Sequence, residues 1–410
     1  MDTNLYPLKF LPLFKNKIWG GNKIKELGFD YAPLPNCGEM WVLSAVPGNE
    51  SVVSNGFLAE NSLDEVLEIY MGELLGEKNY ERFGNQFPLL IKIIDANDKL
   101  SIQVHPDDHL ARQRGMDCGK TEMWYIMDAE KGAEIVDGFD LDLTIDDYKK
   151  VVELGRLERV LHVEHPEPGD VFFIPAGRVH ALGSGLLLAE IQQSSDCTYR
   201  IYDYNRLGDD GKPRQLHTEE ALDAIDYSQL KDGKTHYQQR VNATNTLAEC
   251  PYFTTNLIPL DKPMRKDFSQ LDSFVVYLCT QGIAAIKAMD TITPIHAGEC
   301  VLLPAIVDTV ELFSQGPAQL LEVYIDPDQY QGEYTHANDL DWVARFMGET
   351  ELDDDEIDEI IEKMDLDYED HSDHCDCGHH HHDDHCDCGH HHDDDCGCGH
   401  HHDDDCGHRH

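Results

Sequence analysis

The chain has 410 residues with 79 acidic against 32 basic side chains, a formal charge of −47. No basic patch of the kind that neutralises phosphates interrupts this acidity, which excludes a nucleic-acid binder, and the longest apolar runs, such as 185–191, fall far short of a membrane span. The length is enough for two domains with a sizeable core. The opening residues lack the basic-then-apolar pattern of a signal peptide, and six cysteines are scattered without regular spacing over the first 350 residues. A soluble cytoplasmic protein with reduced structural thiols is therefore expected.

In chain order, two helices and many short strands are predicted. Residues 62–75 open with Ser62 and Glu65, a capping box, before Leu67, Tyr70, Met71 and Leu74 at helical spacing. Apolar, β-branched and aromatic runs at 88–94, 100–104, 122–127, 171–175 and 186–192 are bounded by Pro, Gly and Asn, which predicts strands of a jelly roll or related barrel. Residues 144–154 repeat the helix signature with Thr144 and Asp147. The polar stretch 209–234, with a helix start near Thr218, reads as a connection between domains. Residues 297–305, Ala-Gly-Glu-Cys-Val-Leu-Leu-Pro-Ala, echo 168–176, Pro-Gly-Asp-Val-Phe-Phe-Ile-Pro-Ala. Five residues past the second proline stands His180 in the first copy and Thr309 in the second, which suggests two jelly-roll domains, one with metal and one without.

The candidate metal site follows from the same spacing. In 169–180 two turns set the length of a short strand that delivers His180 to a barrel wall. Gln103 and His105 are two apart in a strand, so they share a face, while Ile102 and Val104 share the other. Glu122 starts another strand-like run. Two imidazoles, a carboxylate and an amide oxygen from three strands make a Zn2+ site with room for water or substrate.

The end of the chain is a different material. Residues 351–370 hold twelve Asp/Glu against one Lys, and from His371 onward only His, Asp, Cys, Gly, one Ser and one Arg occur. A Cys-x-Cys-Gly-His-His-His unit begins at Cys375, Cys386 and Cys396 and is cut short at Cys406. Apart from the thiols nothing here can be buried, so disorder without metal is expected. Thiolate and imidazole together point to binding of Zn2+, Ni2+ or Cu+, against the alternative of a solubilising tail.

Five motifs taken together, Trp19-Gly20-Gly21, Leu100-Ser-Ile-Gln-Val-His-Pro106, Gly119-Lys-Thr-Glu-Met-Trp-Tyr125, Pro175-Ala-Gly-Arg-Val-His180 and Ser195-Asp-Cys-Thr-Tyr-Arg-Ile-Tyr-Asp-Tyr204, resemble the type I mannose-6-phosphate isomerases in their short bacterial form. The resemblance runs to about residue 345 and implies a zinc-dependent isomerase, interconverting mannose 6-phosphate and fructose 6-phosphate through an enediol. It places the zinc ligands on Gln103, His105, Glu122 and His180, an active-site arginine on Arg200, a site lysine on Lys120 and an acidic residue on Glu190. Lys92, Ser101 and Arg206 match pocket positions of the family, and Trp19 packs either against the sugar or in the core. Glu190 is the preferred proton-transfer base, on the ground that a carboxylate in an enclosed site can have a raised pKa. Arg200 offers a permanent planar charge to an enediolate or a phosphate, or else an ion pair to Asp196 or Asp203. No Gly-rich phosphate loop is present.

The expected organisation is mainly β: a cupin-like catalytic domain with helical segments (1–240), a degenerate cupin-like β domain (241–345), an acidic linker (346–370) and a low-complexity tail (371–410). Two other functions compete. A metal-storage or metal-delivery protein would act through the tail, but would not need Lys120, Glu190 and Arg200. A redox cupin would favour a third histidine where Gln103 stands.

Overall fold

The computed structural model describes residues 5–208 and 211–328. The expected acidic linker and His/Cys/Asp tail lie outside the described residues.

Two antiparallel sheets form the first sandwich. One runs in the order Val171–Ile174, Glu122–Ala129, Leu186–Gln193, Leu89–Ala96, Glu39–Leu43, Leu13–Lys15; the other runs Leu161–Glu164, Ile135–Phe139, His180–Leu182, Ile102–Val104, Tyr199–Tyr202. The second sandwich is built the same way. Its larger sheet contains, in order, Asn245–Cys250, Phe253–Leu260, Ala318–Tyr324, Val275–Gln281 and Cys300–Leu303, and its smaller sheet runs Met264–Asp267, Thr309–Ser314, Ile283–Ala288, Thr291–His296. Nine strands of each sandwich correspond in chain order and in sheet order, so the fold is a duplicated jelly roll. The echo between 168–176 and 297–305 marks the same strand in both copies. Its entry turn needs a left-handed residue in each, met by Gly169 at φ +94° and Gly298 at φ +92°.

The copies are not contiguous halves of the chain. Leu8–Leu11 pairs with Cys300–Leu303, and Val52–Val53 extends the sheet beyond it, so the N-terminal strand completes the second sandwich. The larger sheets of both sandwiches feed one apolar cluster, in which Ile91, Ile93, Met123 and Ile191 are grouped with Leu257, Leu278 and Leu321. This explains strands buried on both faces. In Leu89–Ala96 the odd positions Leu89, Ile91 and Ile93 enter the shared layer, and the period of two turns Lys92 toward the inside of the first sandwich. The same parity sends Glu122, Trp124, Glu190 and Gln192 inward, while Met123, Tyr125, Ala189 and Ile191 face the second sandwich.

Both predicted helices form. Leu63–Leu75 begins at Ser62, whose N–H donates to the Glu65 carboxylate at 2.9 Å, and it breaks its helical geometry at Met71. Ile145–Glu153 is capped by Thr144, whose hydroxyl accepts from the Asp147 N–H at 3.1 Å. The stretch 209–234 lies, as expected, between Tyr199–Tyr202 of the first sandwich and Asn245–Cys250 of the second, but it is not a bare connection. Its described part carries the helix Thr218–Leu222 and folds back on the first sandwich, where Ala221 and Ile225 are buried with Phe139 and Tyr148. Its polar composition hid a few apolar anchors sufficient to dock it.

Candidate active site

The inward-facing polar residues of the first sandwich converge. Gln103 lies on the strand Ile102–Val104 and is paired directly with His180, the first residue of His180–Leu182. His105 follows from the same strand, and Glu122 enters from the opposite sheet, paired with Ile174. The ligating atoms of His105, Glu122 and His180 all lie within 4.8 Å of one another, and all three residues are buried. His105 Nε2 is 3.6 Å from Glu122 Oε2, and His180 Nε2 is 3.4 Å from Oε1. Gln103 reaches His180 Nε2 at 3.2 Å through its amide nitrogen; turning the amide over presents its oxygen at that place.

These residues fit a metal ion. His180 Nδ1 donates to the Arg178 carbonyl at 2.8 Å, which leaves Nε2 as a bare lone pair. His105 Nε2 and Glu122 Oε1 are buried with no hydrogen-bond partner. Burial depresses the pKa of His180 to about 4 and that of His105 well below the usual range, so neither ring supplies a proton to the gap. Burial, with the Glu190 charge, raises the Glu122 carboxyl to about 7, so two neutral imidazoles and a carboxyl group turned toward one point form a donor set that a divalent cation would complete. The carboxylate of Asp137, Arg178 and the two strands beneath hold His180 from behind; Arg178 Nη1 donates to Asp137 Oδ1 at 2.8 Å.

Around this cluster lie the other expected residues. Lys120 Nζ is 3.0 Å from Glu122 Oε2 and 4.0 Å from Glu190 Oε1. Burial opposes its charge, but Glu122 and Glu190 outweigh burial and raise its pKa, so it stays an ammonium. Lys92 Nζ donates to Glu190 Oε1 at 2.8 Å and to Gln192 Oε1 at 2.6 Å. Trp124 Nε1 donates to Glu190 Oε2 at 3.1 Å. Glu190 is therefore the reverse of the expected raised carboxyl: burial alone would raise it, but the Lys92 and Lys120 charges, with the Lys92 and Trp124 hydrogen bonds, pull it down to about 2.

Arg200 lies on Tyr199–Tyr202, paired with Gln103 across the sheet. Its Nε donates to Ser101 Oγ at 3.3 Å and its Nη1 to the Gln215 carbonyl at 3.0 Å, with no ion pair to Asp196 or Asp203. Asp203 is instead engaged by Arg206 at 2.7 Å and by Arg214 Nε at 2.7 Å. Burial and the charges of Arg214 and Arg206 lower the Arg200 pKa. Arg206 also lies 3.7 Å from the exposed Asp98 carboxylate, so three guanidinium groups share two carboxylates at this rim. Trp19 is buried in the apolar cluster with Ile94, Trp124 and Leu188.

Sequence reasoning missed Trp124, Gln192 and Arg214. The first two were within reach, because the period of two that joined Gln103 to His105 also joins Trp124 to Glu122 and Gln192 to Glu190. Arg214 comes from the stretch read as a linker. A separate surface groove of about 490 Å³, lined by Asp64, Arg82, Asp108, Arg112 and Tyr252 among others, shares none of the clustered residues.

The duplicated jelly roll, with one buried His/His/Glu set and an inward amide, defines a metal-binding cupin. Residues 8–140 match the family model of the phosphomannose isomerase type I catalytic domain. Mannose-6-phosphate isomerase ManA of Bacillus subtilis is 36% identical over 301 residues, covering 73% of this chain and 93% of its own length. The enzyme of Streptococcus mutans is 38% identical over 254 residues, covering 60% and 77%. A crystal structure of the Bacillus subtilis mannose 6-phosphate isomerase superposes with a TM-score of 0.70 at 31% identity, over 77% of this chain and 99% of that one. A variant of the Salmonella typhimurium phosphomannose isomerase, 17% identical with a TM-score of 0.63 over 78% and 99%, shares the fold. The chain belongs to the type I mannose-6-phosphate isomerase family.

Proposed function

We propose that the chain interconverts mannose 6-phosphate and fructose 6-phosphate at the buried cluster of the first sandwich. One observation carries the reading: metal donors and two lysines converge inside the barrel beside a rim of three arginines. Gln103, His105, Glu122 and His180 would hold the ion, and we assign it as Zn2+ from the mixed imidazole, carboxylate and amide donors. Bound there, Zn2+ supplies a Lewis acid beside the two sugar oxygens that exchange carbonyl character.

The chain's own residues meet the remaining demands. Moving the carbonyl between C1 and C2 removes a carbon-bound proton and gathers charge on oxygen. Lys120, fixed as an ammonium beside Glu122, offers donors to such an oxygen. Arg200, steered by Ser101 and the Gln215 carbonyl, offers a planar fork to the enediolate or the phosphate. Arg206 and Arg214 extend that cationic rim, which suits a phosphate in the absence of a Gly-rich loop. Lys92 is held inside the barrel by Glu190 and Gln192, on the sugar side of the sheet. Metal analysis and a coupled fructose 6-phosphate assay of the purified protein test this reading, which fails if the zinc-loaded protein turns over neither substrate.

The division of labour follows the two sandwiches, with chemistry in the part of 1–240 that forms the first and support from 241–345. Six free cysteines among the described residues suit a reducing, cytoplasmic setting, and among those residues no helix is long and apolar enough to cross a membrane. The tail, with seven cysteines and fifteen histidines from His371 to His410, binds several Zn2+, Ni2+ or Cu+ ions apart from catalysis. Its ligands must be deprotonated, so its affinity falls as pH drops below the histidine pKa of about 6.5. Titrating the 371–410 peptide with zinc against a chelator checks this; no binding at neutral pH under reducing conditions leaves a solubilising tail.

A further inference from the structure

The duplication carries information about Glu190 that the first sandwich alone does not. Strand register aligns the two copies residue by residue. Ile174 and Leu303 each precede the proline of the repeated turn; Glu122 pairs with the first and Val275 with the second. Trp124 therefore corresponds to Tyr277. Glu190 pairs with Trp124 and Lys92, and Glu322 pairs with Tyr277 and Asn256. Glu190 and Glu322 thus occupy one position of the repeated fold.

Their surroundings match atom for atom in kind. Trp124 Nε1 donates to Glu190 Oε2 at 3.1 Å, and Tyr277 Oη donates to Glu322 Oε2 at 2.7 Å. Lys92 Nζ donates to Glu190 Oε1 at 2.8 Å, and Asn256 Nδ2 donates to Glu322 Oε1 at 3.0 Å. In the second copy Lys266 Nζ adds an ion pair at 3.3 Å. The metal positions do not match: His180 corresponds to Thr309, Gln103 to Asp267, and Glu122 to Val275. The second sandwich thus keeps the glutamate and its two cross-strand donors where no metal set exists. A buried carboxylate retained without the chemistry is there to tie three strands through their inward side chains. In the first sandwich each of its oxygens already accepts a hydrogen bond, from Lys92 and from Trp124, which spends basicity that a proton-transfer base needs.

We infer that Glu190 is a positioning residue that holds the Lys92 ammonium, with Lys120 beside it, at the catalytic centre, and is not the base that takes the proton from C1 or C2. The inference rests on the isomerase reading, and the parent protein separates the two: a zinc-loaded parent without turnover sinks that reading and leaves Glu190 undecided by these assays, so parent turnover is measured first. In the active full-length holoenzyme, Glu190→Gln lowers turnover about tenfold, in the range for residues that orient a metal site from behind. Exchange of the C2 hydrogen with D2O, counted per turnover, stays at the parent value. In a Lys92→Met background the same change adds less than a twofold loss, because the group it positions is gone. Loss of exchange per turnover, or an undiminished further fall in the Lys92→Met background, overturns the inference. If Glu190→Gln does not fold, Lys92→Met alone decides: a fall of tenfold or more supports the inference, and turnover within threefold of the parent overturns it.

Discussion

The two sandwiches repeat one fold and fill its interior in opposite ways. In the second, the inward charged groups form a closed pair: Glu322 receives Tyr277, Asn256 and Lys266, and Lys266 also donates to Thr244 at 2.6 Å. One cation meets one anion, and every charged atom of the pair is engaged. In the first, Lys92 and Glu190 form a comparable pair, but His105 Nε2 and Glu122 Oε1 add lone pairs that meet no donor. A buried charge without a partner is costly, and removing one member of a buried pair typically costs 3–5 kcal/mol. A barrel that retains such a set is built around something that the protein alone does not supply. Among the described residues the first copy also has a strand with no counterpart in the second. Tyr199–Tyr202 extends its smaller sheet and carries Arg200, whereas the corresponding sheet of the second copy ends at Met264–Asp267.

The sharpest break in the comparison is between His180 and Thr309. In a chain cut after residue 350, to remove the His/Cys-rich tail, His180→Ala abolishes both the single tightly held zinc and turnover, since three remaining ligands lose closure and geometry. Thr309→Ala at the matching place changes neither. Full zinc and full turnover in the His180 variant would mean that the metal site lies elsewhere.

Arg200→Lys tests the strand that, among the described residues, one copy has alone. Charge is kept and the planar fork is lost, so turnover falls on the order of 100-fold, as when one oxyanion donor is removed, with zinc content unchanged by metal analysis. Turnover within threefold of the parent would reduce Arg200 to a general positive charge.

Lys266→Met reverses the roles. It leaves Glu322 buried without its ammonium, and unfolding in urea should show a loss of about 3 kcal/mol, while turnover per folded molecule is unchanged. A drop in turnover without a drop in stability would show that the second interior takes part in catalysis.

The smallest effect belongs to Asp203, at the arginine rim. Burial would raise its carboxyl, but the Arg214 and Arg206 hydrogen bonds prevail and hold it low. A folded pKa below the unfolded value of about 3.9 stabilises above that pH and ceases to do so as pH falls through the folded value. Asp203→Asn should therefore cost about 2 kcal/mol at pH 7, with the gap between variant and parent narrowing below about pH 4. A gap independent of pH would mean that the contribution comes from shape alone.

How much of this was legible in the chain differs from element to element. The metal set was readable because turn residues punctuate short strands, and a strand's period of two tells which neighbours share a face. The same rule would have found Trp124 and Gln192, had it been carried one step along each strand. The capping boxes at Ser62 and Thr144 marked helices for an equally local reason: both partners lie within one turn. The stretch 209–234 was legible as a connection, but its docking on the first sandwich was not, because two buried apolar side chains suffice to dock a polar segment and do not stand out against that polarity.

Side-chain type, turn chemistry and period are local properties, so the jelly-roll strands, the His105/Glu122/His180 cluster, the family and the composition of the tail could all be read from the chain. Pairing across the chain is not local. Only the tertiary structure decided that Leu8–Leu11 completes the second sandwich, and that Glu190 and Glu322 are one position of a duplicated fold. It also decided the charge state of Glu190. Burial pushes a carboxyl up and ammonium groups push it down, and which effect prevails depends on distances between strands that are 98 residues apart in the chain.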